Sequence, residues 1–464
     1  MNGIRMSTGC TELLRLRPGV YSAVSAKGIL HLLTWQRSES FTEGATWKQA
    51  VLRHLAAAPT TVADLCAAAP EHEVIGFLKA LRASGWLMTT VCYDERPLYT
   101  LRPLRPPTAA PADHFGDLVL SRFAIIRREE HDLLVESPLA WAHLAVHDPA
   151  VTALLGRLTH LLRADAGPGP LPPEAAARTL RDLRWTGLVV PAGDSERHLH
   201  LWQPHELWFH HRTRMSGPGP GYRRGPGESR LDAPPTARVV STGAAIDLVR
   251  PDLDELRRHD PPLAHVMEER RSIREHDDSA PITVAQLGEL LYRCARVRSS
   301  FELDATCYSN RPYPSGGAVY ELEIYPVVRL VDGLDPGMYH YNAYEHRLRL
   351  VRGPGPEVTR LLHMACRATA VESQPQVLIV IAAQFARIMA RYQDIPYSLI
   401  LKHVGVLFQN IQLTATAMGL AACALGAGEA ASFVEATGLD HTMEGSVGEI
   451  VLGSRPASAP GDQN

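Results

Sequence analysis

At 464 residues the chain is too long for one ordinary hydrophobic core and predicts two or three domains. Its 47 Lys and Arg against 50 Asp and Glu leave a net charge of −3, which supplies no field for gathering nucleic acid or an anionic membrane surface. The 45% hydrophobic and 21% charged content is that of a soluble globular protein; residues 1–7 lead into no apolar signal segment, and the apolar runs 377–383 and 413–425 are too short to span a bilayer, so the expected location is the cytoplasm.

Seven cysteines, none in a Cys-x-x-Cys pair, suit a reducing compartment and offer no zinc spacing. Cys423 lies in an Ala/Leu-rich segment and reads as a small core residue. His210 and His211 lack carboxylate or thiolate neighbours at ligand spacing and read as packing. No metal site is expected.

In chain order, residues 13–20 and 29–35 read as strands, followed by short helices. Val74, Phe77, Leu78 and Leu81 recur at i, i+3, i+4 and i+7, and Gly85 supplies a stop before extended Trp86-Leu87-Met88. Helices, a glycine and a strand form a winged-helix pattern. It returns at Leu183-Arg184-Trp185-Thr186-Gly187-Leu188, and 187 minus 85 gives an offset of 102, which predicts two tandem modules over residues 1–105 and 106–215. From Thr61 to Ser84, Asp64, Glu71 and Glu73 against Lys79 and Arg82 leave −1, so DNA is disfavoured. The module either captures a peptide by strand addition or braces the assembly.

Pro/Gly-rich stretches at 102–111, 166–173 and 216–227 punctuate the chain. The last lies in a linker over 216–240 that crosses into the C-terminal domain and could serve as a lid. Trp202, Trp208 and Phe209 just before it form an expected docking surface between domains, and Arg250-Pro251-Asp252-Leu253 opens a helix.

Residues 241–455 alternate helices with strands, and 456–464 read as a disordered tail. Thr283 caps an amphipathic helix. The run 322–330 is mostly apolar, interrupted by Glu323, Pro326 and Arg329, and 377–383 is apolar throughout, which implies a central sheet covered on both faces. Residues 397–420 are long, regular and apolar nearly all round, so a buried helix is expected. The fold class is α+β.

Arg270, Ser272 and Arg274 alternate in Glu268-Glu269-Arg270-Arg271-Ser272-Ile273-Arg274, so their guanidinium and hydroxyl groups can converge on an oxygen-rich anion such as a phosphate. The alternative is a solvated basic turn. Pro314-Ser315-Gly316-Gly317 is a turn whose backbone can approach a flat ligand closely, because glycine has no Cβ. Gly426-Ala427-Gly428 lacks the third glycine and the preceding strand of a dinucleotide fingerprint, and there is no phosphate loop.

These segments, with Tyr392, Tyr397-Ser398-Leu399, His403-Val404-Gly405, Gln409-Asn410, Ala417-Met418-Gly419-Leu420 and Ser446-Val447-Gly448-Glu449, resemble the SagB-type peptide dehydrogenases, or azoline oxidases, of the FMN-dependent nitroreductase fold. The resemblance covers residues 240–455 and, more loosely, the first 215. It implies a nitroreductase-like FMN domain preceded by two winged-helix-like modules, in a homodimer whose central helix is 397–420. It also implies FMN held by Arg270, Ser272, Arg274, Pro314, Ser315, Gly316, Gly317, Gln409, Gly426 and, at the end of the fold, Arg455. The implied reaction oxidises a thiazoline or oxazoline to the azole in a ribosomal precursor peptide recognised by its leader, in complex with a cyclodehydratase. Arg391-Tyr392 stands where the family carries Lys-Tyr as base and partner. An arginine does not deprotonate in proteins, so of this pair only Tyr392 can accept a proton. An NAD(P)H-dependent nitro or quinone reductase and a non-catalytic flavin-bearing partner are the alternatives. The N-terminal modules favour the first reading, because a small-molecule reductase has no evident use for them.

Overall fold

The computed structural model describes residues 9–34, 37–42, 45–110, 117–159, 169–193, 199–214, 245–303, 306–392 and 395–457. The chain forms two compact units, Met1–Gly221 and Tyr222–Asn464. The linker over 216–240 lies outside the described residues, as do residues 1–7 and most of the tail.

In the first unit, the helix Glu71–Ala83 buries Val74, Phe77, Leu78 and Leu81. Gly85 then turns the chain in the left-handed region at φ +70 before the strand Leu87–Tyr93. The same step recurs at Gly187, φ +85, between the helix Pro173–Thr186 and the strand Val189–Pro191. The division expected at residue 105 does not hold, because one antiparallel sheet crosses it. Its order is Cys10–Leu16, Leu87–Tyr93, Arg96–Pro103, Ala142–Val146, Asp132–Glu136 and Ile125–Glu129. Alternation along these strands feeds two cores. One runs from Leu14 to Leu87; the other takes Val91, Leu98, Tyr99 and Leu101 from before residue 105 and joins them to Leu144, Leu155 and Leu183. Glu12 ties the two repeats further, pairing with Arg82 of the first repeat helix and Arg178 of the second.

Among its described residues the second unit has nine strands: β1 (Ala245–Asp247), β2 (Ser299–Leu303), β3 (Thr306–Asn310), β4 (Leu322–Val328), β5 (Gly337–Asn342), β6 (Arg347–Arg352), β7 (Val377–Gln384), β8 (Leu420–Leu425) and β9 (Glu444–Ser454). β2 and β3 make a hairpin, and the rest form an antiparallel sheet in the order β1-β6-β5-β4-β7-β9-β8. The central strand β4 pairs over its full length with β7, Leu322 opposite Ala383 and Val328 opposite Val377, and every residue of both is buried. Successive side chains serve opposite faces: Val377, Ile379 and Ile381 join one core, Leu378, Val380 and Ala382 the other. The first core is closed by the helices Val284–Ala295 and Pro396–Ala417, the second by Pro356–Thr369 and Ala430–Thr437. Thr283 caps the first of these in a capping box with Gln286, and Asp252 caps Leu253–His259. Glu323 is tolerated inside β4 because His340 Nε2 and Gln384 Nε2 lie 2.9 Å from its two oxygens. Burial alone would raise its carboxyl, but His340 and Arg311 hold it below the usual range.

The helix Pro396–Ala417 corrects the expectation of burial all round. Ile400, Val404, Leu407 and Ile411 face the core, while Tyr397 and Leu401 are 43% and 42% exposed and Gly405 and Gln409 continue that open stripe at intervals of four. An apolar stripe of this kind is hidden in the sequence, because it differs from the buried stripe only by which neighbour lies against it.

Candidate cofactor and active site

The long helix Pro396–Ala417 passes both candidate ligand elements. Near its start, His403 Nε2 accepts the Gly316 backbone N–H at 2.8 Å, and near its end Gln412 Oε1 accepts from Arg270 Nη1 at 3.3 Å. Nine residues separate these points, roughly 13 Å along the axis. Between them Asn410 Nδ2 reaches the carbonyl of Pro312 at 3.4 Å, just before the turn.

The turn itself is strained. Gly317 lies at φ +61, and the non-glycine residues Ala318 and Tyr320 are also left-handed at φ +53 and +48. Such conformations persist only where surrounding contacts over-determine them. Ser315 Oγ accepts the Tyr320 N–H at 3.0 Å and lies 3.3 Å from Glu321 Oε2, while Glu321 Oε1 is 2.7 Å from His403 Nδ1. A Cβ placed on Gly317 would lie 2.6 Å from Arg391 Nε and 3.0 Å from the Tyr392 hydroxyl, and one on Gly316 would lie 3.5 Å from both Tyr392 Oη and His403 Nε2. The turn and the Arg391-Tyr392 pair, 74 positions apart between Gly317 and Arg391, are thus in direct contact. Arg391 Nη1 donates to Tyr308 Oη at 2.9 Å and its guanidinium sits 5.5 Å from that ring. The sequence also offers Asp394 as a carboxylate partner for Arg391, and Asp394 lies outside the described residues.

The basic segment leaves the helix Leu263–Glu269 at Arg270 and runs beside β8, where Ile273 N–H donates to the Ala422 carbonyl at 3.1 Å. Ile273 is half-buried there, whereas Ser272 and Arg274 are exposed and have no hydrogen-bond or ion-pair partner among the described residues. Arg455 is exposed beyond β9, Gln409 lies on the open helix stripe, and Gly426 faces open space at the end of β8. Among the described residues, no hydrogen bond or ion pair joins Ser272, Arg274, Gly426 or Arg455 to the glycine turn. The loop after Gly426 is pinned by Glu449, whose Oε1 accepts the Glu429 N–H at 3.0 Å and whose carboxyl is raised by its burial. The exposed Ser272 and Arg274, with Arg270 beside them, are donors of the kind that fit a phosphate, while the glycine turn is packed against Arg391 and Tyr392.

His403, Glu321 and Tyr308 escaped the sequence reading as site residues. A histidine within an apolar helix, a carboxylate next to an apolar strand and a tyrosine in a hairpin carry no local signal. Only tertiary contacts distinguish them, with the turn for His403 and Glu321 and with Arg391 for Tyr308. Among the described residues no three His, Cys, Asp or Glu gather as a metal site, and no helix is long and apolar enough to cross a membrane.

Residues 267–454 match the nitroreductase family model, and residues 118–217 match the model of the cyanobactin oxidase ThcOx. A protein of Methanocaldococcus jannaschii named as a nitroreductase is 31% identical over 185 residues, which are 40% of this chain and 86% of the relative. The chain therefore belongs to the nitroreductase family. Among solved structures, the E. coli microcin synthetase McbBCD complex with truncated pro-MccB17 bound is 19% identical over 45% of this chain and 84% of that one, with a TM-score of 0.35. A nitroreductase-type protein of Desulfovibrio desulfuricans in complex with FMN is 19% identical over 43% of this chain and 93% of that one, with a TM-score of 0.28.

Proposed function

We propose that this chain is an FMN-dependent oxidase of a ribosomally made peptide, dehydrogenating a thiazoline or oxazoline to the aromatic azole. The observation that carries the reading is the contact of the Gly316-Gly317 turn with Arg391 and Tyr392, in a chain whose other unit matches a cyanobactin oxidase model. Membership of the nitroreductase family and the free donors of the basic segment support FMN. Arg270, Ser272, Arg274 and Arg455 would hold its phosphate, and Pro314-Ser315-Gly316-Gly317, Gln409 and Gly426 would line the flat part. Bound FMN supplies the hydride acceptor, with O₂ as final oxidant.

In this reading the chain's own residues orient the ring and take its proton. Tyr392, its hydroxyl against the turn, is the acceptor for the Cα proton. Arg391 presents a fixed cation beside it and is itself held by Tyr308. The first unit receives the leader of the precursor peptide, and the open stripe Tyr397-Leu401-Gly405-Gln409 is covered by a second copy of the chain, as the homodimer expectation requires. A cyclodehydratase supplies the azoline.

The test is to load the purified protein with FMN and supply an azoline peptide in air, reading the product by mass for loss of two hydrogens. A protein that stays colourless in excess FMN would overturn the reading. The M. jannaschii relative favours a second reading, an NAD(P)H-dependent nitro or quinone reductase. Rapid bleaching of the flavin by NAD(P)H, with no change in the azoline, would select it.

A further inference from the structure

We propose that His403 is a positioning residue: held by Glu321 as the Nδ1–H tautomer, it fixes the strained Gly316-Gly317 turn through its unprotonated Nε2. The inference follows from donor and acceptor accounting. A backbone N–H can only donate, so the 2.8 Å contact between Gly316 N and His403 Nε2 requires Nε2 to carry a lone pair. The other ring nitrogen must then carry the proton, and it points at Glu321 Oε1, 2.7 Å away. Glu321 is fully buried and His403 is 7% exposed, so water is not available to replace either partner.

The same carboxylate reaches the other side of the turn. Glu321 Oε2 accepts from Ser315 Oγ, and that hydroxyl accepts the Tyr320 N–H. One glutamate thus sets both the tautomer that grips Gly316 and the serine that grips Tyr320, bracketing the three left-handed residues Gly317, Ala318 and Tyr320. Because Tyr392 Oη and Arg391 Nε lie against the Cβ positions of that turn, its shape also decides where the phenol points. The glycine turn, a loop by sequence, is made rigid by Glu321, which follows it just before β4, and by His403 on the long helix.

The part of the inference that concerns flavin rests on the function proposed above; the part that concerns the tautomer does not. The first measurement is therefore independent of cofactor and activity. A long-range proton–nitrogen correlation spectrum of the full-length protein, with His403 assigned by its loss in His403→Gln, should show Nδ1 protonated and Nε2 unprotonated. A ring with the proton on Nε2, or on both nitrogens, would overturn the proposal.

The second measurement separates positioning from packing. The amide of glutamine can offer an oxygen to Gly316 N–H and a hydrogen to Glu321, whereas leucine fills similar space with neither. His403→Gln should keep FMN affinity within a few-fold of the parent, while His403→Leu should weaken it by roughly tenfold or more, the scale of a buried donor left unpaired. Melting temperature is read in parallel. Leucine tolerated and glutamine not would assign His403 to packing alone. If the parent takes up no FMN but shows the Nδ1–H tautomer, the cofactor reading fails and the dyad stands.

Discussion

Gly317 lies against Arg391 so closely that a Cβ on the glycine would sit 2.6 Å from the Arg391 Nε, and 3.0 Å from the hydroxyl of the neighbouring Tyr392. No side chain other than hydrogen fits between the turn and that pair without displacing it. Gly317→Ala should therefore move both residues. A left-handed alanine costs about 1–2 kcal/mol by itself, so the expected outcome is a folded protein with a melting temperature a few degrees lower and turnover reduced at least tenfold. Parent-like turnover would show that the contact has no catalytic meaning.

Tyr392→Phe removes the only group of the pair able to accept a proton and leaves Arg270, Ser272 and Arg274, the proposed phosphate ligands, untouched. Azole formation should be lost while the protein stays yellow. Arg391→Lys restores the usual residue of the resembling family and should retain or raise activity. An unaffected Tyr392→Phe enzyme removes Tyr392 from the mechanism.

Arg274 is exposed and without a partner among the described residues, so its truncation breaks no internal contact. Arg274→Ala should leave the unfolding free energy from urea titration within about 0.5 kcal/mol of the parent and lose most of the bound FMN, measured as flavin absorbance per subunit. Full flavin occupancy in the variant would reduce the basic segment to a solvated turn.

Burial pushes His143 of the first unit and His276 of the second down to about 4 from an ordinary value near 6.5. Their depressed folded-state values mean that the unfolded chain binds protons first, so the contribution is intact above about pH 6.5 and is lost as pH falls towards 4. Urea midpoints should decline across that window, and His143→Gln should flatten the decline. A slope unchanged in the variant would exclude His143 as its source.

Because the sheet of the first unit crosses residue 105, removing residues 1–105 takes Val91, Leu98, Tyr99 and Leu101 out of the second core. That truncation should aggregate. The cut suited to testing leader capture removes residues 1–214 and should leave a flavin-binding fragment with weakened turnover of the full precursor. A soluble 106–464 fragment whose residues 117–214 resist proteolysis as they do in the full-length chain would contradict the shared core.

The sequence by itself determined the elements whose signal is local. The i, i+3, i+4 stripe of Val74, Phe77, Leu78 and Leu81, the glycine stops at Gly85 and Gly187, the Thr283 cap and the unbroken apolar run of β7 each specify a structure from neighbours in the chain. The tertiary structure alone decided where those elements meet. Periodicity does not reveal that the hairpin 87–103 pairs with a strand from beyond residue 140, because an edge strand looks the same whether its partner is water or another repeat. Nor could it separate the two stripes of the helix Pro396–Ala417. The candidate site divides in the same way: Gly317 and Tyr392 are legible as motif residues, but their contact, and the part played by His403 and Glu321, arise from side chains far apart in sequence brought together by the sheet and the long helix.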